Sequence, residues 1–582
     1  MTCSGALKRQ QKGTDFSGTE HPTFSETIMF KRIRFGLIAL LGLLGVTTSP
    51  VLAQSPVAPV VDPCPRGTAG DVETNPPALF SSAGSLTVFF SYQTRQDDEG
   101  RTRYCFMTPD GLENPTLHVG AGDHLIINVT NNVPNTGGMS MAVSSKDSCG
   151  ATIMTSASVN IHYHGTNTPP LCNQDEVIHT LINSGQSFRY EVAFPADEPP
   201  GLYWYHPHVH GLSQAAVQGG ASGAIIVDGI QQFKPAVTGL PERVLLVRDQ
   251  LVAGEPPPGG SIPSWDLSLN NIPVAYPDET PAVIQMTPGV NEFWRLGNLS
   301  ADTILDVQVI YDGSPQRLSL VGIDGVPVGS WNWKNGPTTL LPTHLRIPPA
   351  SRMEFIVKAP SAAVQHASFV TSNIQTGPNG DNDPPRTIAT IETTETTGGN
   401  TVAEDEHHDA VLPSASGPPR AQRFAGLINR RPAASHVIYF SEDKPDFQFF
   451  ITVDNQTPQI FSPNNPPALI AQQGTVEEWT IQNRTLENHE FHLHQVHFLT
   501  ESQNNFTLNG SAPAPAVVGQ MEDTVEVPYW DGNPNHPYPS IKVLVDFRGS
   551  DIGEFVFHCH ILEHEDSGMM GIVSVVATSG LR

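Results

Sequence analysis

The chain has 582 residues, 31 of them basic and 58 acidic, so its formal net charge at neutral pH is −27. A chain this acidic repels nucleic acid and anionic membranes, which argues against both as partners. Only 15% of the residues are charged, and 50 Gly and 52 Pro are typical of short strands joined by tight turns. We therefore predict an all-β protein of several domains.

Residues 1–53 have the pattern of an export signal with an upstream extension at 1–28. A basic segment at 29–34 precedes an apolar run at 35–46, and small residues provide a cleavage site before Gln54. The apolar run is too short to span a bilayer. We expect a secreted or periplasmic protein with no stable membrane anchor after cleavage.

Four cysteines remain when Cys3 in the leader and Cys559 in a histidine-rich segment are set aside. They are Cys64, Cys105, Cys149 and Cys172. An even number in an oxidising compartment favours two disulfides, and three pairings are possible. Of these we prefer Cys64 with Cys105 and Cys149 with Cys172.

One pattern occurs three times, at 122–131, 289–298 and 474–483. Each copy has a turn glycine, an alternating apolar strand and an asparagine nine residues after the glycine. This repeat predicts three copies of one β-domain of ordinary size. The predicted limits are 54–232 for the first domain, 233–395 for the second, 396–435 for a linker rich in Thr, Gly, Pro and Ala, and 436–582 for the third.

Four short segments each contain a His-x-His pair. Alternate side chains of a strand share one face, so each pair presents two imidazoles roughly 7 Å apart. Eight imidazoles are enough to hold three copper ions. The pairs are His162 with His164, His206 with His208, His492 with His494, and His558 with His560.

Cys559 lies between two of these histidines, so a strand would direct its thiolate to the opposite face. His564 follows five residues later and Met569 ten residues later. A thiolate, an imidazole and a weak axial thioether form the donor set of a blue copper centre, and His489 can complete it. We prefer Met569 to Met570 because of its spacing from Cys559.

The four clusters resemble the copper-binding motifs of the multicopper oxidases, the family of laccases, bilirubin oxidases and bacterial copper-tolerance oxidases. The resemblance covers most of the chain. It implies three cupredoxin-like Greek-key β-barrels and four copper ions, namely one type 1, one type 2 and two type 3.

The resemblance also implies a role for each ligand. The type 1 ligands would be His489, Cys559, His564 and axial Met569. The type 2 ligands would be His162 and His492. The type 3 ligands would be His164, His206, His208, His494, His558 and His560.

Forming water consumes protons, so carboxylates near the cluster are candidates for a proton relay. Glu565 matches the family's acidic position beside a ligand, and Asp175 is a looser match after His164. We expect His210 and His497, which extend two clusters, to support or border the site rather than to bind copper.

A second repeat indicates which domains bind metal. Residues 201–208 align with 553–560, and Pro207 stands where the third domain has Cys559. The first domain should therefore lack blue copper. The middle domain has no histidine pair in the corresponding segment, 368–372, so we expect it to be copper-free and to form a wall of the substrate site. The trinuclear cluster would then lie between the first and third domains.

The expected reaction couples one-electron oxidation of a small substrate to four-electron reduction of O2 to water. Methionine is scarce, and Thr500–Ser540 looks like a polar loop rich in Pro and Asn that could border an open cleft. Both features favour laccase-like oxidation of phenols or aromatic amines. The main alternative is a metallo-oxidase acting on Cu(I), Mn(II) or Fe(II). A copper nitrite reductase or a non-enzymatic copper-binding protein is a weaker alternative, because neither needs four His-x-His pairs.

Overall fold

The computed structural model describes residues 62–138, 140–142, 149–252, 260–330, 340–394, 423–506 and 518–577. The predicted export signal and most of the predicted linker lie outside these ranges. The described residues are mainly strands arranged in three cupredoxin-like barrels, which confirms the predicted fold class. No helix in the described part of the chain is long and apolar enough to cross a bilayer.

The first barrel packs a five-stranded sheet against a four-stranded sheet. Its strands are β1 (Ala78–Phe80), β2 (Ser85–Gln96), β3 (Thr102–Met107), β4 (Thr116–Gly120), β5 (His124–Asn131), β6 (Ser140–Ala142), β7 (Cys149–Gly150), β8 (Ile153–Thr155), β9 (His162–His164), β10 (Thr180–Leu181), β11 (Ser187–Ala193), β12 (Gly201–His206) and β13 (Gly223–Asp228). The sheet orders are β1-β4-β13-β12-β9 and β11-β5-β2-β3, and the pairs β6-β8 and β7-β10 lie outside them. Helix α1 (Ser213–Gln218) follows β12.

The second barrel has a seven-stranded and a six-stranded sheet. Its strands are β14 (Glu242–Leu251), β15 (Trp265–Leu269), β16 (Ile272–Val274), β17 (Ala282–Met286), β18 (Asn291–Asn298), β19 (Leu305–Tyr311), β20 (Ser314–Pro315), β21 (Ser319–Ile323), β22 (Val326–Pro327), β23 (Leu345–Ile347), β24 (Arg352–Lys358), β25 (Ala367–Thr371) and β26 (Arg386–Thr393). The sheet orders are β16-β15-β14-β18-β24-β21-β22 and β17-β26-β25-β19-β20, with β23 paired to β19. Short 3-10 turns at Ile230–Gln232 and Pro235–Val237 precede it.

The third barrel has a six-stranded and a five-stranded sheet. Its strands are β27 (Ala434–Asp443), β28 (Gln448–Val453), β29 (Leu469–Gln472), β30 (Val476–Asn483), β31 (His489–Leu493), β32 (Phe498–Asn504), β33 (Met521–Glu522), β34 (Thr524–Val527), β35 (Ser540–Asp546), β36 (Gly553–Cys559) and β37 (Met570–Val576). The sheet orders are β28-β27-β30-β35-β32-β33 and β29-β37-β36-β31-β34. Helix α2 (Leu562–Asp566) follows β36, and 3-10 turns lie at Leu427–Asn429 and Lys444–Asp446.

The repeated asparagine ends an equivalent strand in each barrel, at Asn131, Asn298 and Asn483. Each side-chain amide is fully buried and donates to two backbone carbonyls on segments outside its own strand. Each side-chain oxygen accepts the backbone N–H two residues further on. The asparagine thus fixes the chain where it leaves the strand, which explains why the sequence keeps it in all three copies.

Contacts between barrels place the metal-binding ends together. The Asp566 carboxylate of the third barrel accepts hydrogen bonds from the backbone of Gly211 and Gln214 in the first barrel, at 2.7 and 2.9 Å. Arg346 of the second barrel makes two 2.7 Å bonds to Glu526 of the third. The strands of each barrel fall within the predicted limits, except that β27 begins just before residue 436, and the limits themselves stay predictions.

Both preferred disulfides are present, joining Cys64 to Cys105 and Cys149 to Cys172. Cys559 is buried and remains a free thiol. The prediction of a continuous loop over Thr500–Ser540 is wrong in part, because β32 ends inside it and β33 and β34 lie within it. Residues 507–517 lie outside the described ranges, and 528–539 do form a loop. The last four residues of β32, Glu501 to Asn504, are polar and at least partly exposed, which concealed its strand character.

Candidate metal centres

Three donor atoms converge where β36 meets β31 and α2. The Cys559 sulfur lies 3.5 Å from His489 Nδ1 and 3.6 Å from His564 Nδ1, and these two nitrogens are 3.0 Å apart. All three side chains are buried. Strand pairing of Phe491 with Cys559 sets this approach, while helix α2 brings back His564. The atoms are placed to share one ion.

The surroundings of Met569 are consistent with the preference for this residue over Met570 as the axial ligand. Met569 is fully buried and belongs to the same apolar core as Cys559. Its backbone carbonyl accepts the Cys559 N–H at 3.1 Å. Met570 instead packs in a separate cluster with Val556 and lines an apolar cavity. Met569 therefore shares a core with Cys559 whereas Met570 packs apart from it, and the axial role of Met569 stays a prediction.

Neighbouring groups fix the outer edges of the two histidines. Thr485 Oγ1 lies 2.9 Å from His489 Nε2, and Glu487 Oε1 lies 3.7 Å from His564 Nε2. The backbone N–H of Glu490 donates to the Cys559 sulfur at 3.4 Å. Such outer contacts hold a ligand's ring orientation and favour negative charge on the sulfur.

The eight histidines of the four pairs form one buried cluster between the first and third barrels. Strand pairing sets His162 against His206 in the first barrel and His492 against His558 in the third. Across the barrel boundary, the rings of His162 and His494 stack at a centroid distance of 3.8 Å, and those of His164 and His492 at 3.9 Å. Residues more than three hundred positions apart are thus brought into direct contact.

The nitrogen atoms of this cluster indicate what it holds. Several rings use one nitrogen for a hydrogen bond to the backbone. His206 Nδ1 lies 2.9 Å from the carbonyl oxygen of Pro207, and His558 Nδ1 lies 2.9 Å from that of Cys559. Buried nitrogens without a hydrogen-bond partner among the described residues are His162 Nε2, His164 Nδ1, His206 Nε2, His492 Nε2, His494 Nδ1 and both nitrogens of His560. Unpaired buried nitrogens are costly unless a metal binds them.

The protonation state agrees with metal binding. Burial lowers the pKa of His162, His164 and His494 well below the ordinary value, and neighbouring imidazoles lower it further. These rings are therefore neutral near pH 7, as metal ligation requires. The donor set at the cluster, imidazole nitrogen alone, suits copper.

Both predicted relay carboxylates lie against the cluster. Asp175 Oδ1 lies 3.0 Å from His162 Nδ1 and accepts the Tyr163 N–H, and its other oxygen accepts the Gln495 amide at 2.6 Å. Glu565 Oε2 lies 3.1 Å from His558 Nδ1. Burial raises the pKa of both carboxyl groups well above the usual value.

A carboxylate that the sequence argument missed also contacts the cluster. Asp523 Oδ1 lies 3.1 Å from His164 Nε2, and Arg352 of the second barrel binds both oxygens of Asp523 at 2.9 and 2.6 Å. His497 Nε2 lies 2.9 Å from the Asp324 carbonyl and 3.6 Å from Asp523. The position of Asp523, just before β34, carries no spacing signal that could have identified it.

The two histidines expected to border the clusters do so. His210 packs edge-on against Phe461 at 5.0 Å, and burial lowers its pKa to about 4. His497 packs against Phe424 at 5.4 Å. Neither ring belongs to a group of converging donor atoms within the described residues.

These features fit a protein of cupredoxin-like barrels whose donor groups suit copper, and comparison with known proteins narrows the class. Two family models, both described as Multicopper oxidase, match residues 152–232 and 432–579, which contain every predicted ligand. These two segments of the chain are therefore similar to multicopper oxidase domains. The chain's relatives named Multicopper oxidase mco from Staphylococcus haemolyticus and Staphylococcus aureus are each 49% identical over 37 residues, which is 6% of this chain and only 8% of each relative.

Solved structures share the fold over nearly the whole chain. A variant of the McoA multicopper oxidase from Aquifex aeolicus has a TM-score of 0.61 at 17% identity, covering 87% of this chain and all of that one. A Campylobacter jejuni multicopper oxidase described as a metallo-oxidase has 0.61 at 20%, covering 88% and 96%. A laccase-like CueO from Ochrobactrum sp., described as active towards lignin model compounds, has 0.58 at 19%, covering 86% and 100%.

Proposed function

We propose that this protein is a laccase-like oxidase that couples one-electron oxidation of a phenol or aromatic amine to four-electron reduction of O2 to water. The main support for this proposal is the arrangement of side chains at the end of β36. There Cys559 faces one group of donor atoms, while His558 and His560 face the eight-histidine cluster. One short stretch of backbone thus joins a site for electron entry to a site that can hold several metal ions.

The donor sets fit four copper ions with the roles predicted from the sequence. The sulfur site would be held by His489, Cys559 and His564 with axial Met569, and the histidine cluster would hold the other three ions. When bound, copper would supply a one-electron acceptor at the first site and the reductant for O2 at the second. The chain contributes rigid, buried donors that exclude water from both sites.

Carboxyl groups beside the cluster would supply the protons that water formation consumes. Glu565 touches His558 and keeps its proton because it is buried, so it can donate one close to the cluster. Asp175 accepts hydrogen bonds from Tyr163 and Gln495 and holds the orientation of His162. We assign Glu565 mainly to proton delivery and Asp175 to orientation and delivery together.

We also propose that the protein is exported and acts in the periplasm or outside the cell, with O2 and a small reductant as its partners. The two disulfides support this location, because such bonds persist in oxidising compartments. The export pattern at residues 1–53 supports it independently.

A metallo-oxidase acting on Cu(I), Mn(II) or Fe(II) is the second candidate, favoured by the Campylobacter jejuni neighbour described as a metallo-oxidase. The test measures copper content and O2 uptake, and compares kcat/KM for a methoxyphenol and for Cu(I) without other added copper. We expect four copper ions per chain and phenol oxidation under these conditions. A large preference for Cu(I), with phenol oxidised only when copper is in excess, would favour the metallo-oxidase. Variable loading without O2 uptake would instead indicate a copper carrier, and nitrite turnover a nitrite reductase.

A further inference from the structure

A turn between β27 and β28 covers the outer edge of the sulfur site. The Phe449 ring stacks on His564 with a centroid distance of 4.3 Å and an interplanar angle of 19°. The Lys444 ammonium lies 4.8 Å from the centroid of the Phe449 ring. Phe449 and His564 are almost fully buried, whereas a third of the Lys444 side chain is exposed. The Lys444 side chain is therefore partly accessible at this edge.

Two carboxylates lie beneath the ammonium. Lys444 Nζ is 2.7 Å from Glu487 Oε1 and 3.3 Å from Glu442 Oε2. The same Glu487 oxygen is 3.7 Å from His564 Nε2. The ammonium thus occupies a position between two carboxylates, one of which contacts a candidate copper ligand.

The lysine keeps its charge in this position. Burial alone would lower the pKa of Lys444, but Glu487 and Glu442 raise it above the ordinary value. Burial and the nearby Glu442 raise the pKa of Glu487 to about 9, and the Lys444 ammonium opposes that rise, so the lysine favours the ionised form of its partner. A divalent cation could bind Glu487 and Glu442 in the same place, because carboxylate oxygens are preferred ligands of hard metal ions such as Mn(II). A cation arriving here would have to displace the ammonium or approach against its charge.

We propose that Lys444 fills a two-carboxylate cation site beside His564 and thereby selects uncharged aromatic donors over metal cations. This inference rests on the proposed oxidase function and names the substrate class of its electron-entry site. Lys444 acts as a specificity residue that need not touch the donor.

The same turn offers a surface for an aromatic ring. Phe447 is 62% exposed and lies edge-on to Phe449 at 6.3 Å, with an interplanar angle of 77°. Its backbone has φ of 53°, which is unusual for a bulky residue. Phe447, Phe449 and His564 form a continuous series of rings from the surface to the sulfur site. An aromatic donor can stack on this surface.

The first test compares wild type with Lys444→Met, which keeps the length of the side chain and removes its charge. Lys542→Met is the matched control, because Lys542 forms a similar 3.2 Å ion pair with Glu478 in the same barrel. Mn(II) binding to the copper-loaded proteins is measured under argon from the EPR signal of the free ion. We expect Lys444→Met to bind Mn(II) at least about tenfold more tightly than wild type, and Lys542→Met to bind it as wild type does.

A second comparison links binding to specificity. The ratio of kcat/KM for Fe(II) to that for an uncharged methoxyphenol should rise about tenfold in Lys444→Met and return towards the wild-type value in the double variant Glu442→Gln, Lys444→Met. Retained blue absorbance identifies correctly folded variants, and Lys444→Gln replaces Lys444→Met if that protein is not blue.

Equal Mn(II) binding by wild type and Lys444→Met, or a parallel change in both specificity constants, would overturn the role of Lys444. Failure of the wild type to consume O2 with any donor would refute the oxidase function instead. The Mn(II) measurement does not depend on turnover, so the two failures can be told apart.

Discussion

The first and third barrels end equivalent strands in almost the same tripeptide, His206-Pro207-His208 in one and His558-Cys559-His560 in the other. Both histidine pairs enter the shared cluster. Only the central residue differs, and it points away from the cluster. The strand geometry that supplies two ligands to one site is therefore common to both barrels, and a second metal site is added in only one.

The difference extends beyond this one position. Val159 lies three residues before His162, just as His489 lies three residues before His492. Leu212 lies five residues after Pro207, just as His564 lies five residues after Cys559. Pro207 and Leu212 line a small cavity that also touches Tyr92 and Tyr104. The first barrel has apolar side chains at these three positions, where the third has metal donors. A few side chains on equivalent strands therefore decide which barrel offers a second group of donor atoms.

The largest effect is expected from removing the residue that distinguishes the two barrels. Cys559→Ser should abolish both the blue colour and oxidase activity, because Cys559 is the thiolate at the sulfur site. Visible absorption and O2 uptake measure the two properties. A mutant that stayed blue would show that the sulfur site has been misplaced.

Removing one histidine from the cluster that the two barrels share should impair the cluster and leave the sulfur site intact. His494→Ala deletes a ring stacked on His162 and lying 3.2 Å from His558. The protein should remain blue and accept an electron from the phenol, but its reoxidation by O2 should be lost. Stopped-flow absorbance after anaerobic reduction measures this step. Normal reoxidation would contradict the role assigned to the cluster.

Loss of the proton donor should slow reoxidation by O2 without changing the blue colour. Glu565→Gln keeps the shape of the side chain beside His558 but removes its acid function. Reduction of the blue site by substrate should be unchanged, while reoxidation by O2 should slow by roughly 10²-fold. Unchanged reoxidation from pH 5 to 8 would remove Glu565 from the relay.

The repeated asparagine allows a matched comparison between the third barrel, which contains the sulfur site, and the second barrel, which contains none of the predicted ligands. Asn298→Ala and Asn483→Ala each remove buried hydrogen bonds and should lower the free energy of unfolding by about 1–3 kcal/mol. Asn483 also holds Thr485, which contacts His489. Only Asn483→Ala should therefore shift the blue absorption band, and equal spectra for both variants would show that Thr485 does not orient His489.

The smallest effect is expected from copying the cysteine into the first barrel. Pro207→Cys supplies a thiolate, but Val159 and Leu212 offer no donors beside it. We expect no second blue band and a change in unfolding free energy of about 1 kcal/mol. Copper content and visible absorption are the measurements. A second blue chromophore would show that the cysteine alone decides the difference between barrels.

Much of this molecule could be predicted from its sequence because its main signals are local. The His-x-His pairs obey the two-residue period of a strand, and the asparagine repeat marks an equivalent strand end in all three barrels. The contacts of Asp523 with Arg352 and of Lys444 with Glu487 could not be predicted, because each joins segments far apart in sequence. The strand β32 was missed because its last four residues are all polar and at least partly exposed.

The central claim is that one strand, β36, connects electron entry to O2 reduction. The most direct measurement reduces the copper-loaded protein completely under argon, adds O2 and follows both the blue absorption and hydrogen peroxide. We expect full return of the blue colour with one O2 consumed per chain and no peroxide released. A blue site that stays bleached, or that recovers with release of peroxide, would contradict it.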